Sequence, residues 1–262
     1  MPLGRIACLG LVCTLSLAVA TATRADCVVR AGWEPWAPYT YRDSEGKVTG
    51  VDIELVRLFS QAAHCRIEFL QMPWKRQLNS LEAGTIDIMI GASMTAERKK
   101  IARFSISYRK ETMRLFVRRD ELKRYDFRSL DALQRQGFQL CATRGYFYGN
   151  AFQAILDNPR KRQDVTLVTN SSQGFMMLQL HRVDGVLEDA LVAHYLLQEL
   201  AFRDAVVASP LQVNEDDIYL MFSRQHDSPQ LVDRFNQAIQ TVRDEGRYAS
   251  ILRPYTGKGD PQ

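Results

Sequence analysis

The sequence predicts an α/β protein of two similar lobes with a ligand cleft between them. Three observations carry this. From residue 27 onward, short apolar runs alternate with segments of helical periodicity, the grammar of βαβ units on a parallel sheet. The second half of the chain repeats that alternation. The 262 residues, 46% apolar and 24% charged, have ordinary globular composition and a length that suits two modest lobes. Disordered, collagen-like and short disulfide-scaffold classes are excluded by that composition. Thirty-four Lys+Arg against thirty Asp+Glu leave a net charge of +4, too little to indicate a nucleic-acid partner.

The first residues stand apart from the fold. Arg5 precedes an apolar run from Ile6 to Ala20, and small residues follow as far as Ala25. This is the pattern of a secretory signal peptide over residues 1–25, with cleavage after Ala22 or Ala25. A membrane anchor is the competing reading, because the run approaches the ~20 residues that span a bilayer. On the signal-peptide reading the product is exported and soluble. Loss of Arg5 and Arg24 lowers the charge from +4 to +2, and Cys8 and Cys13 leave as well.

Cys27, Cys65 and Cys141 remain, an odd count that in an oxidising compartment predicts one pair and one spare thiol. Cys27 and Cys65 each open an apolar run. On neighbouring parallel strands they would sit at the same end of one sheet, so a Cys27–Cys65 disulfide is expected. Cys141, inside the run Phe138–Ala142, reads as a buried hydrophobe. No zinc-type cysteine spacing occurs, so no metal is expected.

The elements follow in order. Val28–Gly32 is a strand, and the turn-rich stretch Glu34–Pro38 leads to a hairpin or loop through Asp43–Gly46. Leu55, Leu58, Phe59 and Ala62 give helical spacing from Asp52 to Ala63. Strand Ile67–Gln71 follows; Pro73 then opens a helix carrying Trp74, Leu78 and Leu81 on one stripe and ending at Gly84. Ile86–Ile90 reads as a buried parallel strand. The second unit runs through strand Phe138–Ala142, a helix near Ala151–Leu156, strand Val165–Val168, a helix from Ser172 to His181, and strand Val183–Leu187. Leu81–Asp87 and Leu178–Asp184 echo each other: a helix end, a turn, and a strand whose second residue is Asp. Ile218–Phe222 and the amphipathic Leu231/Phe235/Ala238/Ile239 read as a strand returning to the first lobe and a packing helix.

The motifs Trp36-Ala37-Pro38-Tyr39, Gly50-Val51-Asp52-Ile53-Glu54, Gly84-Thr85-Ile86-Asp87, Thr95-Ala96-Glu97-Arg98 and Val183-Asp184-Gly185-Val186 occur in that order. With the ending Asp244–Leu252, they resemble the periplasmic amino-acid-binding proteins of ABC importers, the extracellular solute-binding proteins of family 3. The resemblance covers residues 27–256. It implies a periplasmic-binding-protein fold of type II, with two crossover strands near Met113–Val117 and Ala208–Val213. Residues 26–113 plus 209–262 would form lobe I, and 114–208 lobe II. It also implies a periplasmic monomer without cofactor, closing on an amino acid or related small carboxylate or amine and delivering it to an importer permease.

The resemblance implies a ligand set too. Arg98, in the first turn of a helix capped by Thr95, would grip the ligand carboxylate with its planar fork; on the residues alone it reads as a solvated helix face. Ser93 and Thr95 would add backbone and hydroxyl donors to the same anion. Asp189 would accept from the ligand ammonium, although it equally suits an N-cap for a helix from Ala190, and Glu188 competes for the role. Trp36 and Trp74 would sandwich the ligand side chain, with Trp74 alternatively facing the core. Glu34 would supply an acidic contact and Tyr146 a carboxylate contact, with Tyr148 and Arg76 as lesser candidates.

No Gly-x-Ser-x-Gly elbow, His-Glu-x-x-His, Walker loop or dinucleotide fingerprint is present, and His64, His181, His194 and His226 are far apart in sequence. The protein is therefore not expected to be an enzyme. The rival readings are an exported dehydratase of prephenate or arogenate type, with Glu34, Glu188 or Asp189 as general acid, and a ligand-sensing module.

Overall fold

The computed structural model describes residues 27–225 and 228–256, so the expected signal peptide and His226 lie outside the described residues. The first unit comprises β1 (Cys27–Trp33), the hairpin strands β2 (Tyr41–Arg42) and β3 (Val48–Thr49), α1 (Val51–Ala62), β4 (Cys65–Gln71), α2 (Trp74–Glu82), β5 (Ile88–Ser93), α3 (Ala96–Ile101) and β6 (Ala102–Phe104). A long strand, β7 (Arg109–Arg118), leads to the second unit: α4 (Leu130–Gln134), β8 (Leu140–Thr143), α5 (Asn150–Asp157), β9 (Val165–Val168), α6 (Ser171–Gln179), β10 (Gly185–Asp189) and α7 (Ala190–Glu199). The chain returns through β11 (Val206–Ser223) and finishes with α8 (Ser228–Asp244) and α9 (Arg247–Thr256).

The two units have the same sheet plan. β1 lies between β4 and β5, all parallel, and β11 runs antiparallel beside β5. β8 lies between β9 and β10, all parallel, and β7 runs antiparallel beside β10. β7 and β11 pair with each other, which joins the two halves into a continuous path. The segments expected to cross between lobes, Met113–Val117 and Ala208–Val213, lie in these two strands, and the pairing register shifts between Ala208 and Asn214.

Helices α1 and α8 bury the faces their apolar periodicity prescribes. Ile53 and Phe59 of α1 are fully buried in one cluster with Phe235 and Ile239 of α8, so the tail helix does pack on the first unit. Leu115, Phe138, Leu140 and Phe152 anchor the core of the second. Among the described residues no helix is long and apolar enough to cross a membrane.

The internal echo is physical, with a shift from the expected boundaries. Both strands begin two residues later than predicted, because Asp87 and Asp184 belong to the preceding turns. Asp87 Oδ2 accepts the backbone N–H of Arg30 at 2.8 Å while its own N–H donates to Arg30 O at 2.9 Å. Asp184 Oδ2 accepts the backbone N–H of Gln139 at 2.8 Å, while the Asp184 backbone N–H donates to Gln139 O at 2.8 Å. Each aspartate thus ties the entry of one strand to its parallel neighbour.

Cys27 and Cys65 are register partners on β1 and β4, joined as a disulfide with Cα atoms 4.6 Å apart. Cys141 is a buried free thiol whose pKa burial pushes up to about 12. Replacing Cys27 and Cys65 together by Ala is expected to cost ~3–4 kcal/mol by freeing the loop in the unfolded chain. Urea unfolding of the oxidised protein and the double variant measures this, and a loss under ~1 kcal/mol would contradict the bond's structural role.

Candidate ligand cleft

A cavity lies where the two halves of the sheet meet, lined by residues of both. The loop after β1 brings Glu34 and Trp36 to it, the start of α2 brings Trp74 and Gln77, and the end of β5 with α3 brings Ser93 and Arg98. β7 contributes Glu111 and Met113, and the loop after β8 contributes Tyr146 and Phe147.

Arg98 is the buried cation of this cavity, with 8% of its surface exposed. Thr95 Oγ1 accepts the Arg98 N–H at 3.2 Å and so caps α3. The guanidinium donates to Ser93 O at 2.9 Å and to Gly145 O at 3.1 Å, and it lies over the Trp74 ring at 5.0 Å. Gly145 has φ +85°, and a Cβ there would come within 3.3 Å of Trp74 Cδ1. A side chain would therefore be strained and would crowd the indole. Among the described residues no carboxylate pairs with Arg98, and burial lowers its pKa to about 10.

Glu34 bridges the halves. Its Oε2 accepts the Trp74 N–H at 2.8 Å and its Oε1 the Tyr146 hydroxyl at 2.5 Å. Burial raises its pKa against the pull of these two donors. Trp36 Nε1 donates to Glu188 Oε1 at 3.2 Å. Burial pushes the Glu188 carboxyl up to about 7.

Beneath the cavity lies a buried ion network. Arg109 grips Asp52 bidentately, Nε to Oδ1 at 2.7 Å and Nη2 to Oδ2 at 2.9 Å. Its Nη2 is also 2.8 Å from Glu111 Oε1, and its guanidinium carbon stands 3.8 Å from the Tyr39 ring centre. Burial opposes the Arg109 charge, but Asp52 and Glu111 outweigh that and hold its pKa well above the usual arginine value. Glu111 is pushed up to about 8, first by burial and then by the charges of Asp189 and Asp52, against the pull of Arg109.

Of the residues singled out in the sequence, Glu34, Trp36, Trp74, Ser93, Arg98 and Tyr146 line the cavity together. Thr95 and Asp189 do not. Asp189 caps α7, its Oδ1 accepting the N–H groups of Leu191 and Val192 at 3.0 and 3.1 Å. The same oxygen accepts the Tyr39 hydroxyl at 3.2 Å, and Oδ2 takes the Thr112 N–H at 3.3 Å. The capping alternative is thus what its geometry displays, because the start of α7 supplies donors nearer than the cavity. Tyr148 is buried with its hydroxyl accepting from Thr143 N at 2.9 Å, and Arg76 is exposed on α2.

Sequence reading missed Asp52, Gln77 and Glu111 as cavity residues, and Arg109 beneath them. Asp52 left a trace, since it falls on the apolar stripe of α1 with Leu55 and Phe59, where an acid needs a buried partner. Arg109 and Glu111 alternate on one face of β7, a pattern with no distinctive signal in a single sequence. Three buried polar atoms of cavity residues lack a hydrogen-bond partner in the protein, Trp33 Nε1, Trp74 Nε1 and Gln77 Oε1, while Glu111 Oε1 has its ion pair with Arg109.

The sequence profile of the bacterial extracellular solute-binding proteins, family 3, matches residues 29–258. This chain belongs to that family. Its relatives include a "Probable histidine-binding protein" of Neisseria gonorrhoeae, 28% identical over 85% of this chain and 80% of the relative. An "Arginine-binding periplasmic protein" of Mannheimia haemolytica is 22% identical over 91% and 94% of the respective chains. Among solved structures, a histidine kinase sensor domain with similarity to periplasmic binding proteins superposes with a TM-score of 0.77 at 20% identity, over 89% of this chain and 96% of its own. An ancestral arginine-binding protein bound to arginine gives 0.74 at 24%, over 87% and 98%. An ancestral amino acid-binding protein described as a precursor of cyclohexadienyl dehydratase gives 0.71 at 21%, over 87% and 94%. These likenesses establish the two-lobe α/β fold of family-3 solute-binding proteins for this chain.

Proposed function

We propose that this family-3 solute-binding protein is exported to the periplasm, captures an amino acid with a cationic side chain, and delivers it to the permease of an ABC importer. The observation that carries the reading is the charge pattern of one aromatic-walled cavity. Arg98, a buried guanidinium with no carboxylate ion pair among the described residues, lines the cavity together with the carboxylates Glu34, Asp52 and Glu111. The ligand α-carboxylate takes the Arg98 fork beside Ser93, and Trp36, Trp74 and Tyr146 enclose the side chain. Asp52 and Glu111 are paired with Arg109, whereas Glu34 stands among the aromatic walls without an ion pair among the described residues and can meet a cationic side chain. The histidine and arginine named for the relatives support the same class.

In this reading residues 26–113 with 209–262 form lobe I and 114–208 lobe II. The bonds Glu34–Tyr146, Trp36–Glu188 and Arg98–Gly145 then hold the lobes closed. The protein acts as a monomer without cofactor.

A thermal-shift screen of the twenty amino acids with prephenate tests the proposal. Ligand at a hundredfold excess over its Kd stabilises the folded state by ~2.7 kcal/mol. At ~2–4 °C per kcal/mol for a protein of this size, Tm is expected to rise by about 5–11 °C with arginine, lysine or histidine. The compound should persist after overnight incubation. Its consumption would establish an enzyme instead, and a shift confined to acidic amino acids would contradict the charge argument.

A further inference from the structure

We propose that Gln77 determines specificity in the cavity, its side-chain oxygen accepting from a ligand guanidinium and so selecting arginine over lysine and histidine; the inference rests on the basic-amino-acid reading above. Of the three cavity atoms without a partner, Gln77 Oε1 is the acceptor. Gln77 is 1% exposed, on the buried face of α2 with Trp74 and Leu81. A buried amide oxygen is costly unless something donates to it. The amide cannot turn over to relieve this. Its Nε2 donates to Met72 O at 2.9 Å, and a carbonyl only accepts.

The oxygen stands in the neighbourhood of Glu34. The Met72 N–H donates to Trp33 O at 2.9 Å and the Trp74 N–H to Glu34 Oε2 at 2.8 Å, so the chain around residues 33–34 runs beside 72–74. The Gln77 amide folds back onto that crossing and lies over Gly32, where an added Cβ would stand 2.9 Å from Oε1. The donor Trp74 Nε1 is at another place. It lies 4.0 Å from where a Cβ on Gly145 would be, and Gly145 O holds Arg98, the carboxylate end of the cavity. Trp33 Nε1 belongs to a side chain that leaves β1 on the face opposite Gly32.

The number of donors separates the basic side chains. Glu34 accepts one bond on each oxygen, and a carboxylate offers about four lone-pair sites. The sites left over suit the parallel N–H pair of a guanidinium edge. A guanidinium has about five N–H groups spread over a plane, so donors remain beyond the carboxylate. Gln77 Oε1 takes one of them without adding a charge. A lysine ammonium gathers its donors on one atom, and an imidazolium has fewer, so each gains less from the second acceptor.

Calorimetric titration with L-arginine, L-lysine and L-histidine tests the assignment on wild type and on Gln77→Met, an unbranched side chain of similar reach without the amide oxygen. Wild type is expected to bind arginine at least about tenfold more tightly than lysine or histidine. Gln77→Met should weaken arginine by about tenfold and lysine by less than about threefold. The preference then collapses, while retained lysine binding shows that the cleft is intact. Wild type binding lysine or histidine as tightly as arginine would overturn the assignment with no variant needed. So would a Gln77→Met protein whose arginine-to-lysine affinity ratio is unchanged, however weak its binding. Both outcomes leave the basic-amino-acid reading standing. Wild type binding none of the three would overturn that reading as well.

Discussion

Arg98→Ala is expected to weaken L-arginine binding by about a hundredfold to ten-thousandfold, since two charge-assisted hydrogen bonds at ~1.5–3 kcal/mol each are lost. The variant will also unfold more easily. The sequence suggests an exposed first-turn cation of little structural value, whereas the guanidinium is buried and satisfies Ser93 O and Gly145 O. Each carbonyl left without its donor costs ~1–3 kcal/mol. Binding must therefore be measured well below the variant's Tm. Arg98→Lys is the companion test: it keeps a charge but not the planar fork, and should recover part of the stability and little of the affinity. Calorimetry giving Arg98→Ala an affinity within twofold of wild type would remove Arg98 from the site.

Asp52→Ala should be among the most destabilising single changes in the molecule. It strands Arg109, whose side chain is 4% exposed, next to Glu111 alone. Breaking a buried pair from one side costs ~3–5 kcal/mol, which at ~2–4 °C per kcal/mol lowers Tm by about 6–20 °C. The double variant Asp52→Leu/Arg109→Met removes both charges and should regain much of that loss, because the penalty belongs to the unpaired ion. Urea denaturation of the two variants decides it. A single variant losing less than ~1 kcal/mol would mean that water or Glu111 compensates Arg109 unaided.

Most of the fold is legible in the sequence because hydrophobic periodicity governs it. The strands at Cys27, Cys65, Val165 and Ile218, the helices α1, α2, α5, α6 and α8, and the doubled βαβ plan all follow from apolar spacing and turn residues. Strand starts are misread where an acid caps a backbone, since Asp87 and Asp184 look like strand residues until their partners Arg30 and Gln139 are known. The short α4 leaves too few residues for a periodic signal.

The site divides along similar lines. Residues on loops or at element starts converge on the cavity: Trp36 and Arg98 come with motifs, and Glu34, Trp74 and Tyr146 stand at the turns and helix start that the sequence marks. Glu111 and Asp52 sit inside regular elements, and their meaning depends on Arg109, which is 57 residues from Asp52 in the chain. A contact of that separation has no local sequence signature. Asp189 shows the converse: a motif position at the right strand end whose side chain is claimed by its own helix.

The central claim is that the cavity holds a basic amino acid through Arg98. Native mass spectrometry of the protein purified without denaturation and incubated with arginine, lysine and histidine tests it most directly. One equivalent of one of these amino acids should travel with the wild-type protein and be absent from Arg98→Ala at the same concentrations. A wild-type protein that carries none of them, or a variant that carries its amino acid as fully as wild type, would contradict the account.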